Sequence, residues 1–236
     1  MKVGILQADA VLPQFQAQFG NYPDMFQTLL SGAATGPIEF AVYDVEHLQY
    51  PKTLDECDGY VITGSKKSVY DDEPWIHRLR QFVLDLHQAK IRLVGICFGH
   101  QIVATALGGD TQPAAVGWGV GIHRSELVAS KEFMQPPLDS IAAIVSHKDQ
   151  VTRLPEGAEL LAGSEFCPNA MYQVQDHILT FQGHPEFCKS YSKALMDMRQ
   201  DILGSEKYQA GVSSLTQPMH AETLAQWIVR FLDSDR

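Results

Sequence analysis

Two short segments carry residue types that could act together. The first is Val94-Gly95-Ile96-Cys97-Phe98-Gly99-His100-Gln101, with a cysteine centred between two glycines. It reads as strand, G-x-C-x-G, helix, the sulfur counterpart of a G-x-S-x-G nucleophile elbow. A sharp strand-to-helix turn exposes the nucleophile, and the glycines remove Cβ atoms that would collide across it. The thiol then stands at a helix N-terminus, where free N–H groups and the helix dipole favour the thiolate. A cysteine by itself is more often a small buried residue. The paired glycines and the strand–helix context turn the reading toward a nucleophile.

The second segment is Phe181-Gln182-Gly183-His184-Pro185-Glu186, which closes the apolar run Ile178-Leu179-Thr180-Phe181. Acyl transfer to a thiolate needs a base, and the base needs an orienting group. Pro185 disfavours helix at His184, and residues two apart in an extended chain point to one side. His184 and Glu186 can therefore hydrogen-bond. Taken alone they read as a turn histidine and a solvated helix-start acid; with Cys97 they form a Cys/His/Glu constellation. The developing oxyanion would be held by the N–H of Phe98 and by a second donor at Ile62-Thr63-Gly64-Ser65. There, Gly64 lets the backbone turn its N–H toward the charge, and loss of one such donor costs about 3 kcal/mol.

The elements that must position these groups alternate. Apolar strands are expected at 2–8, 38–45, 59–63 and 92–96, and helices at 23–33 and 99–107. Another helix is expected from Asp72 as N-cap to about residue 90, with Ile76, Leu79, Phe82, Val83 and Leu86 on one stripe. Buried strands between amphipathic helices favour a largely parallel α/β sheet with helices on both faces, and a site along the strand ends. The second half is richer in strands, at 120–129, 141–146, 158–164, 170–174 and 178–182. A helix at 188–203, a loop at 204–217 and a last amphipathic helix at 218–232 complete the chain.

Composition bounds the rest. The chain has 236 residues, 45% of them hydrophobic, with 18 Lys+Arg against 28 Asp+Glu and a net charge of −10. The negative charge and the absence of a basic run argue against nucleic-acid binding. No apolar run approaches the ~20 residues that cross a bilayer. Cys57, Cys97, Cys167 and Cys188 show no CxxC, and Met1-Lys2-Val3-Gly4 opens a strand rather than an export signal, so reduced thiols in the cytoplasm are expected. No HExxH or Cys/His cluster points to a metal. Gly64-Ser65-Lys66-Lys67-Ser68 lacks the phosphate-loop spacing, and Gly117-x-Gly119-x-Gly121 reads as a loop entering a strand. His100 and Cys188 read as packing residues.

The Gly95–Gln101 and Gly183–Glu186 motifs resemble those of the class I (triad) glutamine amidotransferase family. Ser146-His147-Lys148-Asp149-Gln150-Val151 with Leu154-Pro155 is similar to the glutaminase domain of GMP synthase. The Cys-Phe-Gly-His-Gln and Gln-Gly-His-Pro-Glu spellings, with Gly64-Ser65 and Asp72-Glu73-Pro74-Trp75, look closer to its stand-alone γ-glutamyl peptidase branch. The resemblance implies a flavodoxin-like three-layer sandwich with a mixed, mostly parallel central sheet. It implies one domain over 1–236, with a core at about 2–193 and a helical extension at about 204–236.

It further implies Cys97 as nucleophile, His184 as base and then acid, and Glu186 as its orienter. Gly64 and Phe98 would be oxyanion donors, and Ser65, Gln101, Ser146 and His147 substrate contacts. The activity implied is hydrolysis of glutamine or another γ-glutamyl compound through a γ-glutamyl thioester, with no cofactor or metal. Lys66-Lys67 stand where many relatives carry proline, which predicts a differently shaped or mobile oxyanion loop. Three functions follow: a free-standing γ-glutamyl hydrolase, a glutaminase serving a synthetase in trans, or a thiol-sensing regulatory module. A sensor thiol needs no oriented base, so His184 and Glu186 favour the enzymes.

Overall fold

A computed structural model describes residues 1–234. In chain order the elements are β1 (Lys2–Gln7), α1 (Pro13–Phe19), α2 (Tyr22–Ala33), β2 (Glu39–Asp44), β3 (Gly59–Ile62), α3 (Pro74–Gln88), β4 (Arg92–Ile96) and α4 (Phe98–Ala106). Then come β5 (Asp110–Pro113), β6 (Gly119–Leu127), β7 (Ser140–His147), β8 (Asp149–Arg153), β9 (Ala158–Gly163), β10 (Met171–Val174) and β11 (Ile178–Phe181). Four helices close the chain: α5 (Lys189–Met198), α6 (Gln200–Leu203), α7 (Ser205–Ser214) and α8 (Ala221–Asp233). Two 3-10 turns, Val45–His47 and Leu54–Glu56, link β2 to β3.

Nine strands form one mixed sheet in the order β2-β1-β3-β4-β11-β10-β9-β6-β7. The block β2-β1-β3-β4-β11 is parallel, and the strands from β10 to β7 extend it antiparallel. The period of two divides the core into two layers. Val3, Ile5, Val61, Val94 and Ile96 pack under α2 and α8 with Phe26, Leu30, Trp227 and Phe231. Leu6, Tyr60, Ile62 and Leu93 pack on the opposite face with Leu79 and Phe82 of α3 and Ile102 of α4. Each layer hides the apolar face of its helices, the dominant favourable contribution to such a fold. The last helix is thus one of the covering layers of the sandwich: Leu224, Trp227, Ile228, Phe231 and Leu232 are all buried.

Several local expectations change. The helix expected at 188–203 is broken at Arg199, whose φ of −105° and ψ of 13° separate α5 from α6. Residues expected as a loop at 204–217 contain α7, whose one buried residue is Gly211. Helix α3 is capped by Glu73 without a side-chain bond, while Asp72 pairs with His77 at 2.8 Å. Helix α1 and the β5–β8 ribbon were not expected. Strand β8 starts one residue after β7 ends, so Lys148 marks the point where the chain leaves the main sheet for the ribbon. No helix among the described residues is long and apolar enough to cross a membrane.

Candidate active site

The carboxyl ends of four parallel strands meet at one cleft of about 200 Å³. Asp9 follows β1, Gly64 follows β3, Cys97 follows β4 and His184 follows β11, and all four line it. This is where an open α/β sheet exposes backbone donors and loop residues together.

Cys97 caps α4 with φ 53° and ψ −98°, a left-handed backbone that costs on the order of 1–3 kcal/mol for a residue with a Cβ. Neighbours hold it there. Its N–H donates to the Phe181 carbonyl at 2.8 Å, and its carbonyl accepts from the Gln101 N–H at 3.0 Å. The two elbow glycines are sterically required. A Cβ on Gly95 would meet the Gly99 oxygen at 2.5 Å, and one on Gly99 would meet the Ile62 oxygen at 2.6 Å. Phe98 opens α4, so its N–H has no acceptor within the helix.

His184 forms an antiparallel bridge to β7, its N–H donating to the Ile144 carbonyl at 2.7 Å. Its Nδ1 lies 2.8 Å from Glu186 Oε1, and both side chains are buried. The reach is made through a turn, with the Phe187 N–H donating to the His184 carbonyl, rather than along an extended strand. The imidazole stacks on Phe187 at 3.9 Å between centroids, tilted by 10°. With Nδ1 committed to Glu186, Nε2 is the nitrogen left for the hydrogen bond to the Cys97 sulfur. Burial alone would depress the imidazolium; the Glu186 carboxylate and the charge at Cys97 outweigh it and raise the His184 pKa to about 10. Glu186 Oε2 has no hydrogen-bond partner among the described residues.

At Gly64 the requirement for glycine is steric. Its φ lies outside the left-handed region, so the backbone freedom of glycine is not used. What matters is space: a Cβ would stand 2.8 Å from His184 Cε1. The loop that follows is pinned. Lys66 donates its N–H to Asp9 Oδ2 at 2.9 Å and its ammonium to Oδ1 at 2.7 Å, and Lys67 reaches Glu73 at 2.5 Å.

Ser65, Gln101, Ser146 and His147 all line the cleft. The Ser65 hydroxyl accepts from the Lys67 N–H at 3.2 Å. Gln101 donates to the Asp149 carbonyl at 2.9 Å and to Gln182 Oε1 at 3.1 Å. Ser146 accepts from Arg199 at 2.9 Å. His147 Nδ1 meets the Asp149 carbonyl at 3.0 Å, and burial depresses its pKa to about 3. Three groups, two of them in the cleft, were not singled out from sequence. Gln182 Nε2 lies 3.6 Å from the Cys97 sulfur; the two-residue spacing that linked His184 to Glu186 also links Gln182 to His184. Asp9 and Arg199 are the others, and no motif announced them.

The remaining thiols differ from Cys97. All four cysteines are free. Burial raises Cys57 and pushes Cys167 up to about 12. Cys188, expected as a packing residue, is exposed at the start of α5 and lies 3.2 Å from the Ser190 hydroxyl. His100 is fully buried, its Nδ1 2.9 Å from the Thr180 hydroxyl. No group of three or more His, Cys, Asp or Glu side chains that could hold a metal ion occurs among the described residues.

Comparison with known proteins gives the family and the fold. A glutamine amidotransferase-like protein of Schizosaccharomyces pombe is 32% identical over 98% of both chains. Gamma-glutamyl peptidase 3 of Arabidopsis thaliana is 33% identical over 75% of this chain and 74% of its own. The crystal structure of a glutamine amidotransferase from Thermotoga maritima superimposes with a TM-score of 0.73 at 20% identity, covering 98% of this chain and 96% of that one, and so shares the fold. Residues 24–197 match the family described as glutamine amidotransferase class-I, and the chain belongs to that family of enzymes.

Proposed function

We propose that the protein hydrolyses the amide bond of γ-glutamyl compounds, γ-glutamyl peptides among them, with Cys97, His184 and Glu186 as its catalytic triad. The Cys97 thiolate attacks the δ-carbonyl carbon, and the N–H groups of Phe98 and Gly64 receive the oxyanion. The tetrahedral adduct collapses as the His184 imidazolium gives its proton to the departing amine, leaving a γ-glutamyl thioester on Cys97. Neutral His184 then takes a proton from water, the hydroxide adds to the thioester, and collapse releases glutamate and restores the thiolate and imidazolium. Glu186 keeps Nδ1 protonated and stabilises the imidazolium in both halves. Gln101, Ser65, Ser146 and His147 form the pocket for the glutamyl amino-acid end. The 2–193 core and the 204–236 extension work as one domain, since α8 covers the sheet that carries the elbow.

The observation that carries the reading is the 2.8 Å His184–Glu186 bond beside the sulfur of a strained, glycine-flanked cysteine. The peptide reading draws on the 33% identity to a γ-glutamyl peptidase. Steady-state assay of purified wild type and Cys97→Ala on glutamine and a panel of γ-glutamyl dipeptides tests it. Wild type turns over at least one compound and Cys97→Ala none. Turnover only after a synthetase is added makes the protein a glutaminase subunit instead. Inertness to every γ-glutamyl compound, with Cys97 oxidised by peroxide, makes it a thiol sensor.

A further inference from the structure

We propose that Arg199 is the centre of a carboxylate-binding subsite in the cleft wall and is a specificity-determining residue; this rests on the γ-glutamyl hydrolase reading above. Arg199 sits at the break between α5 and α6, and its backbone is held from both sides. Its N–H donates to the Leu195 and Met196 carbonyls at 3.2 and 3.1 Å, and its carbonyl accepts from Ile202 and Leu203 at 3.0 and 2.9 Å. The side chain is also fixed: Nη1 donates to the Ser146 hydroxyl at 2.9 Å, and the guanidinium lies 5.3 Å from the Trp118 ring centroid. Arg199, Ser146 and Trp118 all line the cleft that holds Cys97 and His184.

What separates this cation from Lys66 and Lys67 is its lack of a counter-charge. The neighbouring cleft lysines are neutralised, Lys66 by Asp9 and Lys67 by Glu73. Arg199 has no carboxylate at ion-pair distance among the described residues, nor has Lys148, which is exposed on the same cleft beside His147. A guanidinium carries five N–H donors in a planar fork, and the Ser146 bond uses one. The Ser146 hydrogen bond and the nearby Trp118 ring hold that fork in the cleft wall before any ligand arrives, which suits two-pronged capture of a carboxylate. Lys148 adds a second cation to the same cleft, while the Asp149 carboxylate that also lines it is held by the hydroxyls of Ser68 and Tyr70. Arg199 also lies outside the matched stretch 24–197, as do Asp9 and Tyr22 of the same cleft.

A γ-glutamyl peptide offers two carboxylates, the α-carboxylate of its glutamyl end and that of the leaving peptide. Three substrates separate them: a γ-glutamyl dipeptide, its C-terminal amide, and the dipeptide with its glutamyl α-carboxyl amidated. Wild type is expected to prefer the free acid over one of the neutral analogues by roughly tenfold to hundredfold in kcat/KM, the range of a hydrogen bond to a charged group. Arg199→Met flattens that preference to about twofold or less, and Arg199→Lys, which keeps charge but not the fork, retains part of it. Trp118→Leu, which removes the stacked face but not the charge, lowers it by less. The analogue whose disadvantage disappears identifies the carboxylate. A wild type that treats all three alike, or an unchanged preference in Arg199→Met, overturns the inference. If wild type hydrolyses neither these three nor glutamine or any other γ-glutamyl compound of the panel, the γ-glutamyl hydrolase reading fails. Calorimetric binding of the same compounds to wild type, against Arg199→Met, then decides the subsite by itself, with equal affinity for acid and amides as the contrary result.

Discussion

His184 and His147 line the same cleft and are both 4% exposed, yet their charge preferences run in opposite directions. His147 offers Nδ1 to a neutral carbonyl, that of Asp149, and burial pushes its pKa down to about 3. His184 offers Nδ1 to the Glu186 carboxylate, which, with the charge at Cys97, overcomes the same penalty and carries it up to about 10. Burial by itself strips a histidine of its proton; a buried carboxylate on the far nitrogen returns it. Only the second arrangement stores a proton beside the sulfur at neutral pH, and that proton is what a departing amine needs.

The largest test of this contrast removes one ring at a time. His184→Asn lowers kcat by on the order of 10³- to 10⁵-fold, since base, acid and orientation are lost together. His147→Asn, which leaves the triad in place, costs far less. A comparable loss in both variants, measured on the same γ-glutamyl substrate, would break the distinction between the two histidines.

The next test converts the first histidine's environment into the second's. Glu186→Gln replaces the carboxylate by a neutral group, and kcat falls by about 10²- to 10⁴-fold. The alkaline limb of kcat/KM, set in wild type near the raised His184 value, moves down, because only Cys97 then opposes the effect of burial. A pH–rate profile that keeps its alkaline limb in the variant contradicts the role given to Glu186.

How much of this could be read from the chain follows from which forces leave a pattern. The elbow was legible because Gly95 and Gly99 are each required by a backbone contact, and a required glycine shows in the sequence. The parallel strands were legible because they are apolar runs buried on both faces. Helix α7 was not, because its apolar side chains, Tyr208 and Val212, are only partly buried and its close approach to the sheet is made through glycine. A Cβ on Gly211 would stand 2.8 Å from Val120 Cγ2, and one on Gly121 would stand 2.5 Å from the Gly211 oxygen. Helix α1 has seven residues, none buried, too few to display a period. The β5–β8 ribbon uses Asp, Gln and Pro, residues poor in strand preference. In the site, Arg199 was missed for another reason: its importance lies in what it touches across the chain, Ser146 and Trp118, and local spacing carries no such information.

A smaller effect follows from the space behind Gly64. Gly64→Ala adds a methyl group where the imidazole edge lies, so His184 must shift from the sulfur. Activity is expected to fall roughly tenfold to hundredfold with little change in KM, as misplacement of a reacting group does. Unchanged kcat would show that the ring has room to yield.

The smallest effects are on stability, and their signs oppose. His184 has a folded pKa above 6.5, so its contribution is full below that value and is lost as pH rises toward about 10. His147 has a folded pKa near 3, so the unfolded chain binds the extra proton below 6.5 and stability falls as pH drops from there toward 3. Urea unfolding across pH should show both slopes in wild type. Glu186→Gln makes the alkaline one shallower, and His147→Gln does the same to the acid one, with the buried His100, also lowered to about 3, keeping part of that slope.

The central claim, that Cys97 forms a covalent γ-glutamyl intermediate, is tested most directly by acid-quenching the first turnover on a γ-glutamyl dipeptide and mapping the adduct by peptide mass spectrometry. The account predicts a glutamyl group on the peptide containing Cys97, formed before glutamate is released. Glutamate released in that turnover while Cys97 stays unmodified at every time point, or a glutamyl group on the exposed Cys188 instead, would contradict it.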